Sequence, residues 1–392
     1  MVSPHARPPS PSGVLYPPAT LGVIGGGQLG RMFVQAAQRM GYRTVVLSPT
    51  DDAPAAQVSD EVVIAPPDHL PGIRAFCERA DAITVEFENV SAPALRWIAR
   101  RRPVRPGWKT VWVSQNRLRE KGFLACNGFP LAPWRPIRNR GELNAAVEAL
   151  GLPFLLKTAA SGYDGKGQVR VESVGDAERA WSSLGRVACV AEGWVTFAAE
   201  VSVVAARGVD GSAVTYPVAL NRHERHILDS TVMPAPVGPV ISQEARTLAL
   251  AVAEALGTVG VLTVEFFLTA EGSLLINELA PRPHNSGHLT IEAAVTSQYE
   301  QQVRALCGLP LGETALVLPG AMANLLGDLW TSGAPDWSAA LGNDPGIKVH
   351  LYGKRTPAPG RKMGHLTVLD PDPETASARV LAARRALIGG RR

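Results

Sequence analysis

Residues 261–278 read VLTVEFFLTAEGSLLINE, two apolar runs meeting at Glu271 and Gly272. This pattern predicts a β-hairpin with a two-residue turn, Gly272 supplying the positive φ that such a turn needs. That register puts Glu265 directly opposite Glu278 on one face, with Cβ atoms about 5 Å apart. Two facing carboxylates repel unless one is protonated or a cation lies between them. Oxygen-only donors suit Mg²⁺, or Mn²⁺ in its place, which binds through one or two carboxylates and completes its shell with substrate phosphates. Asn277 offers a further oxygen beside Glu278. The alternative is two solvated edge glutamates, and the choice hangs on register, because a slip of one residue turns Glu278 to the other face.

Outward from the hairpin, residues 278–288 read ELAPRPHNSGH. Arg282, His284, Asn285, Ser286 and His288 crowd donors and acceptors just past the carboxylates, and Arg282 can grip a phosphate or carboxylate bidentately. A hydrogen-bonded structural loop is the plainer reading. Upstream, residues 161–168 read SGYDGKGQ between apolar strands at 154–157 and 168–172. Glycine lets backbone N–H groups close over phosphates, and Lys166 adds a point charge. No Ser or Thr follows the Gly-Lys pair and a strand comes next, so this is not a Walker A loop. It reads as a flap over a nucleotide, with Lys157, at the end of the preceding strand, in reach of the same phosphates.

Residues 25–30, GGGQLG, follow a strand and open a helix, satisfying G-x-G-x-x-G. A dinucleotide site also wants an acidic residue ending the second strand, which here closes on Ser48, Pro49 and Thr50. Gln28 adds a polar side chain at the loop tip. The loop therefore reads as approaching some other phosphorylated ligand, or as a tight turn. Near the C-terminus, residues 352–365, YGKRTPAPGRKMGH, gather Lys354, Arg355, Arg361 and Lys362, cations that could cradle a ribose phosphate or equally form a solvated surface. The arginine-rich stretch at 96–109 reads as a solvated helix face.

The chain has 392 residues, of which 46% are hydrophobic and 19% charged, with a formal net charge of +4. Such a composition excludes global disorder, and the charge is too slight to argue for nucleic acid or a membrane surface. Cys77, Cys126, Cys189 and Cys307 are scattered without zinc spacing, as reduced thiols of an intracellular protein would be. No apolar stretch is long enough for a membrane span. Residues 1–20 are rich in proline and read as a disordered extension. Short apolar strands alternate with amphipathic helices from residue 21 to about 115, predicting a doubly wound parallel sheet. Helices at 116–126, 142–150, 243–256 and about 290–306 then interrupt a strand-rich remainder. From residue 316, short strands and Pro/Gly turns suggest a small third domain.

Taken together these residues resemble the ATP-grasp superfamily and, within it, the N5-carboxyaminoimidazole ribonucleotide synthase family, the ATPase subunit of phosphoribosylaminoimidazole carboxylase. The stretches that carry the resemblance are 25–32 (GGGQLGRM), 85–90 (VEFENV), 162–168 (GYDGKGQ), 192–195 (EGWV), 277–288 (NELAPRPHNSGH) and 359–365 (PGRKMGH). The resemblance implies an α/β and α+β chain: an ATP-grasp fold behind an N-terminal Rossmann-like (pre-ATP-grasp) domain, with a small C-terminal mainly-β domain. The implied boundaries are 21–115, 116–310 with a flap subdomain at about 120–190, and 311–392. Two departures are the N-terminal extension and His226, where relatives often carry Gly.

The resemblance further implies an enzyme that uses ATP and bicarbonate to carboxylate 5-aminoimidazole ribonucleotide through carboxyphosphate, giving ADP and phosphate in purine synthesis. Arg117, Lys157 and the flap (Gly162, Tyr163, Asp164, Gly165, Lys166, Gly167, Gln168) would hold ATP phosphates. Glu192, Gly193, Trp194 and Val195 would read adenine, Glu200 the ribose, with His223 close by. Glu265 and Glu278 would hold Mg²⁺, with Asn277 alongside. Gln28, Leu29, Glu86, Asn285, Ser286, Lys354, Arg361 and Lys362 would line the ribonucleotide pocket. Arg282, His284 and Lys354 would hold carboxyphosphate, while Tyr163 and Asp164 close the flap and manage protons. A cytoplasmic homodimer is implied, with no nucleic-acid or membrane partner. The alternatives are another ATP-grasp ligase, such as formate-dependent glycinamide ribonucleotide transformylase, which has Asp-Thr where Asn285 and Ser286 stand, and, more distantly, an NAD-dependent dehydrogenase.

Overall fold

The computed structural model describes residues 13–160, 162, 166–331 and 333–388. Ser161, Tyr163, Asp164 and Gly165 of the expected flap lie outside the described residues, as do residues 1–12 of the extension. Residues 13–20 do not form a free tail: the Leu15 N–H donates to the Cys307 carbonyl at 2.9 Å, and Tyr42 Oη donates to the Leu15 carbonyl. Leu15 and Ala19 pack on the core below, and that burial outweighs the local proline content that suggested disorder.

The first sheet is parallel, in the order β3-β2-β1-β4. Its elements run β1 Thr20–Ile24, α1 Gln28–Arg39, β2 Arg43–Ser48, β3 Glu61–Ile64, α2 Leu70–Arg79, β4 Ala82–Val85, α3 Ala92–Ile98 and α4 Trp108–Ser114. Both faces are covered, so the central strands read as unbroken apolar runs. Ser91 caps α3 by accepting from the Ala94 N–H at 3.3 Å, as the sequence predicts. Gly22 is needed for close packing, since a Cβ there would meet Phe76 at 2.7 Å.

A second, antiparallel sheet (β5-β8-β6-β7) follows α5 Arg117–Cys126. It contains β5 Trp134–Ile137, α6 Arg140–Leu150, β6 Phe154–Thr158, β7 Gln168–Val171, α7 Val174–Ser183 and β8 Cys189–Gly193. The two helices bury Leu143, Ala146, Ala177, Ala180 and Trp181 against Phe154 and Leu156. The expected loop between β6 and β7 is held at its base by the Thr158 N–H donating to the Gly167 carbonyl.

The large sheet has nine strands. Its elements are β9 Phe197–Arg207, β10 Ala213–Thr215, β11 Ala219–Glu224, β12 Ile227–Met233, α8 Pro239–Ala255, β13 Gly260–Thr269, β14 Leu274–Ala280, α9 Thr290–Ala293 and α10 Gln298–Cys307. The C-terminal region adds β15 Gly320–Leu326, α11 Trp337–Asn343, β16 Lys348–Leu351, β17 Lys362–Leu369 and α12 Pro373–Ala386. The order β14-β13-β9-β11-β12-β15-β17-β16, with β10 beside β9, makes the C-terminal strands a continuation of the same sheet. The single helix expected over about 290–306 is two, because Ser297 turns extended and caps α10 by accepting from the Glu300 N–H. Among the described residues no helix is long and apolar enough to cross a membrane.

Candidate active site

Glu265 and Glu278 do face each other across β13 and β14, but not through the turn the sequence suggested. The loop is three residues, Ala270, Glu271 and Gly272, closed by the Thr269 N–H donating to the Ser273 carbonyl, with Gly272 at φ +84°. This pairs Phe266 with Ile276, one residue out of the expected register. A bulge at Asn277 then shifts the register back, and Glu265 meets Glu278. Two deviations of one residue cancel.

The electrostatics of the pair are asymmetric. Burial alone would raise the Glu265 carboxyl, but the His284 ring, whose Nε2 lies 2.9 Å from Glu265 Oε1, outweighs it and holds the group below the usual carboxylate range. Burial and the facing Glu265 push Glu278 upward, with Arg117 pulling the other way from 3.7 Å. Two carboxylates with an amide beside them are hard oxygen donors and fit Mg²⁺ chemically. Among the described residues no group of three or more His, Cys, Asp or Glu is arranged to hold a metal, so such a pair would complete its shell with phosphate oxygens.

Around Arg117 several of the residues expected at the nucleotide converge. Its backbone N–H donates to the Ala159 carbonyl at the end of β6, and a Cβ on Gly162 would lie 3.6 Å from its Nη2. Arg117 thus bridges the flap base and Glu278. Lys157 Nζ donates to Glu192 Oε2 at 2.8 Å, and Lys121 approaches Oε1 at 3.4 Å. Glu192 is 4% exposed. Burial would raise its carboxyl, yet the two lysines bring it down to about 2. Its side chain is therefore engaged by two lysines, and Gly193, Trp194 and Val195 follow it along the chain. Trp194 is exposed, with Arg170 stacked over its ring at 4.2 Å. Lys166 is exposed, and Gln168 pairs with Lys157 in the β6–β7 register. Glu200 Oε2 lies 3.0 Å from His223 Nδ1, and the neighbouring carboxylate raises that imidazole's pKa despite burial.

The loop after β14 meets the N-terminal sheet. Arg282 binds Glu88 through Nε (2.7 Å) and Nη2 (3.4 Å). His284 spends both ring nitrogens inside the protein, Nε2 on Glu265 and Nδ1 on Ser286 Oγ at 2.9 Å. Both were expected to hold carboxyphosphate; in the structure Arg282 is paired with Glu88 and His284 with Glu265. Ser286, expected in the ribonucleotide pocket, is fully buried, its hydroxyl taken by Ser202 at 2.8 Å and His284. Asn285 is 8% exposed, and neither atom of its amide has a hydrogen-bond partner within the protein.

The N–H groups of the G-x-G-x-x-G loop are already taken, although burial raises the pKa of the Glu86 carboxyl that accepts from them. Glu86 accepts from the Gly27 N–H and, at 2.8 Å, from the Gly30 N–H. A phosphate on the N-terminus of α1 would collide with that side chain, which argues against the dinucleotide reading and fits the tight turn that the sequence left as an alternative. Gln28 and Leu29 remain half-buried beside it. Lys354 and Arg282 both act electrostatically on Glu86, and Gly353 accepts from Gln57 Nε2 at 2.8 Å, so the C-terminal loop docks on the first sheet. Lys354 Nζ donates to the Lys362 carbonyl at 2.6 Å, while Arg361 is exposed and donates to the Thr356 carbonyl. Sequence reasoning missed Glu88, Glu120 and Lys121. Glu120 and Lys121 are adjacent charges on α5 and Glu88 lies in the loop after β4, and the partners of all three lie far away in the chain.

Fold and site together define an ATP-grasp enzyme, an ATP-dependent ligase. Residues 122–299 match the ATP-grasp domain, 19–115 the ribonucleotide synthetase preATP-grasp domain, and 320–379 the phosphoribosylaminoimidazole carboxylase C-terminal domain. The N5-carboxyaminoimidazole ribonucleotide synthase of Bacillus subtilis (strain 168) is 43% identical over 360 residues, covering 91% of this chain and 93% of that protein. The crystal structure of an N5-carboxyaminoimidazole ribonucleotide synthetase as its ADP complex superposes with TM-score 0.88 at 41% identity, covering 94% and 97%. The Aspergillus clavatus synthase in complex with ADP and 5-aminoimidazole ribonucleotide gives TM-score 0.85 at 31% identity, covering 94% and 98%. The chain belongs to the N5-carboxyaminoimidazole ribonucleotide synthase family.

Proposed function

We propose that the protein carboxylates 5-aminoimidazole ribonucleotide, consuming ATP and bicarbonate and releasing ADP and phosphate. The observation that carries this reading is the Glu265–Glu278 pair, set between Arg117 at the flap base and the Asn285 loop that faces the N-terminal sheet. Arg117, Lys157 and the flap at 162–168 hold the ATP phosphates. The backbone at 193–195 receives adenine, and Glu200 takes the ribose with His223 beside it. Mg²⁺, held by Glu265 and Glu278 with Asn277 nearby, would neutralise charge on the transferring phosphoryl group.

Bicarbonate attacks the γ-phosphorus, forming carboxyphosphate as ADP leaves. The exocyclic amine of the ribonucleotide then takes the carboxyl group and phosphate departs. Positioning supplies most of the catalysis in such transfers. His284 keeps the Glu265 carboxylate ionised, Arg282 locks the loop to Glu88, and Asn285, Glu86, Gln28 and Leu29 shape the acceptor pocket. Lys354, Arg361 and Lys362 provide charge for the ribose phosphate, and Tyr163 and Asp164 close the flap. A cytoplasmic homodimer belongs to the same reading and rests on family membership.

Carboxyphosphate makes an isotopic demand. With ¹⁸O-labelled bicarbonate, one labelled oxygen must appear in the released phosphate. Phosphate free of label would refute the intermediate.

A further inference from the structure

The bulge at Asn277 is what brings the two carboxylates together. Continued without it, the register set by Phe266 and Ile276 would place Asn277 opposite Glu265, and Glu278 opposite Val264 on the other face. Bulges need their displaced backbone groups satisfied, and among the described residues β14 is the edge strand of the large sheet, met on its outer side by an isolated bridge from Leu131 to Ile276. Helix α5 and the segment after it supply the missing partners. Lys121 Nζ donates to the Asn277 carbonyl at 2.8 Å and reaches the Ile276 carbonyl at 3.5 Å. Glu120 Oε2 accepts from the Leu279 N–H at 3.1 Å, and the Pro130 carbonyl accepts from the Ile276 N–H at 2.8 Å.

Lys121 is 1% and Glu120 2% exposed, so neither is there for solubility. Both side chains grip backbone on either side of Glu278 and neither touches Glu265 or Glu278 by a hydrogen bond or ion pair among the described contacts. Lys121 also contacts Glu192 on β8, so one ammonium joins β8 to the carboxylate strand β14.

We infer that Lys121 and Glu120 are positioning residues: they hold the β14 bulge and thereby set Glu278 opposite Glu265 for the divalent cation. This deepens the proposed metal role of the glutamates and rests on it. The test uses the full-length protein and two readouts besides turnover: amide hydrogen exchange of residues 276–280 without ligands, and Mn²⁺ binding in the presence of ADP by calorimetry. In Lys121→Met the segment should exchange faster and Mn²⁺ should bind about tenfold more weakly, the usual cost of removing a group that orients a ligand. The Michaelis constant for the ribonucleotide should not change. Glu120→Leu should behave in the same way, and decides the matter if Lys121→Met does not fold. Glu120→Gln, which keeps an acceptor for the Leu279 N–H, should restore both exchange protection and Mn²⁺ affinity. Unchanged exchange in Lys121→Met and Glu120→Leu would overturn the inference, as would unchanged Mn²⁺ affinity where Glu278→Gln loses it. If Glu278→Gln itself binds Mn²⁺ normally, the metal assignment is what fails, and the inference falls with it.

Discussion

Glu192 shows how a single buried carboxylate is made tolerable. Its two lysines keep it ionised, with the pKa lowered to about 2 against an ordinary value near 4.5. A depressed acid stabilises the fold above its unfolded pKa, and that contribution is lost as pH falls toward the folded value. Wild-type stability should therefore decline between about pH 4.5 and 2, and Glu192→Gln, weaker at pH 7, should decline less over that window; urea midpoints at several pH values check this. At the metal pair, Glu265→Gln or Glu278→Gln should cost about 10²-fold in rate and shift the Mg²⁺ dependence, as removal of a charge-stabilising group does. Initial rates titrated with Mg²⁺ measure both effects. Residues inside dense motifs, such as Glu278, Asn285 and His284, could be singled out from the sequence because their spacing is local. Lys121 and Glu88 were not, since nothing near them in the chain names Asn277 or Arg282 as a partner.

Among elements, the β11–β12 hairpin gives the setting of His226, one of the two departures from the family pattern. Arg225 and His226 both have positive φ, 50° and 66°, between paired Glu224 and Ile227. Glycine is strongly preferred in such a two-residue turn, and a side chain there costs about 1 kcal/mol. His226→Gly should thus stabilise the protein by about that amount in denaturant titrations and leave the His223–Glu200 contact in place. Strand and helix placement in the first sheet was legible because buried runs alternate with amphipathic ones. Other elements hid for identifiable reasons. Strand β5 is four residues with a proline, and the β13–β14 bulge leaves no compositional mark. There the expected pairing of Glu265 with Glu278 is correct although the expected two-residue turn is not.

At the scale of the whole molecule, the C-terminal strands extend the large sheet while the loop at 352–355 returns to the first. Pairing β12 with β15 joins segments nearly ninety residues apart, which no local pattern announces. This return puts Lys354 in electrostatic reach of Glu86, and gives the remote cations a use. Lys354→Ala and Arg361→Ala should raise the Michaelis constant for the ribonucleotide, leave that for ATP nearly unchanged, and lower turnover, because binding at a remote phosphate also orients the amine. Steady-state kinetics with each substrate varied separately resolve the two constants. The central claim is the identity of the acceptor, and ADP release measured with Mg-ATP and bicarbonate tests it most directly. Rapid release on adding 5-aminoimidazole ribonucleotide, and none with glycinamide ribonucleotide and formate, is the predicted result. Release triggered by formate and glycinamide ribonucleotide, or release indifferent to 5-aminoimidazole ribonucleotide, would contradict it.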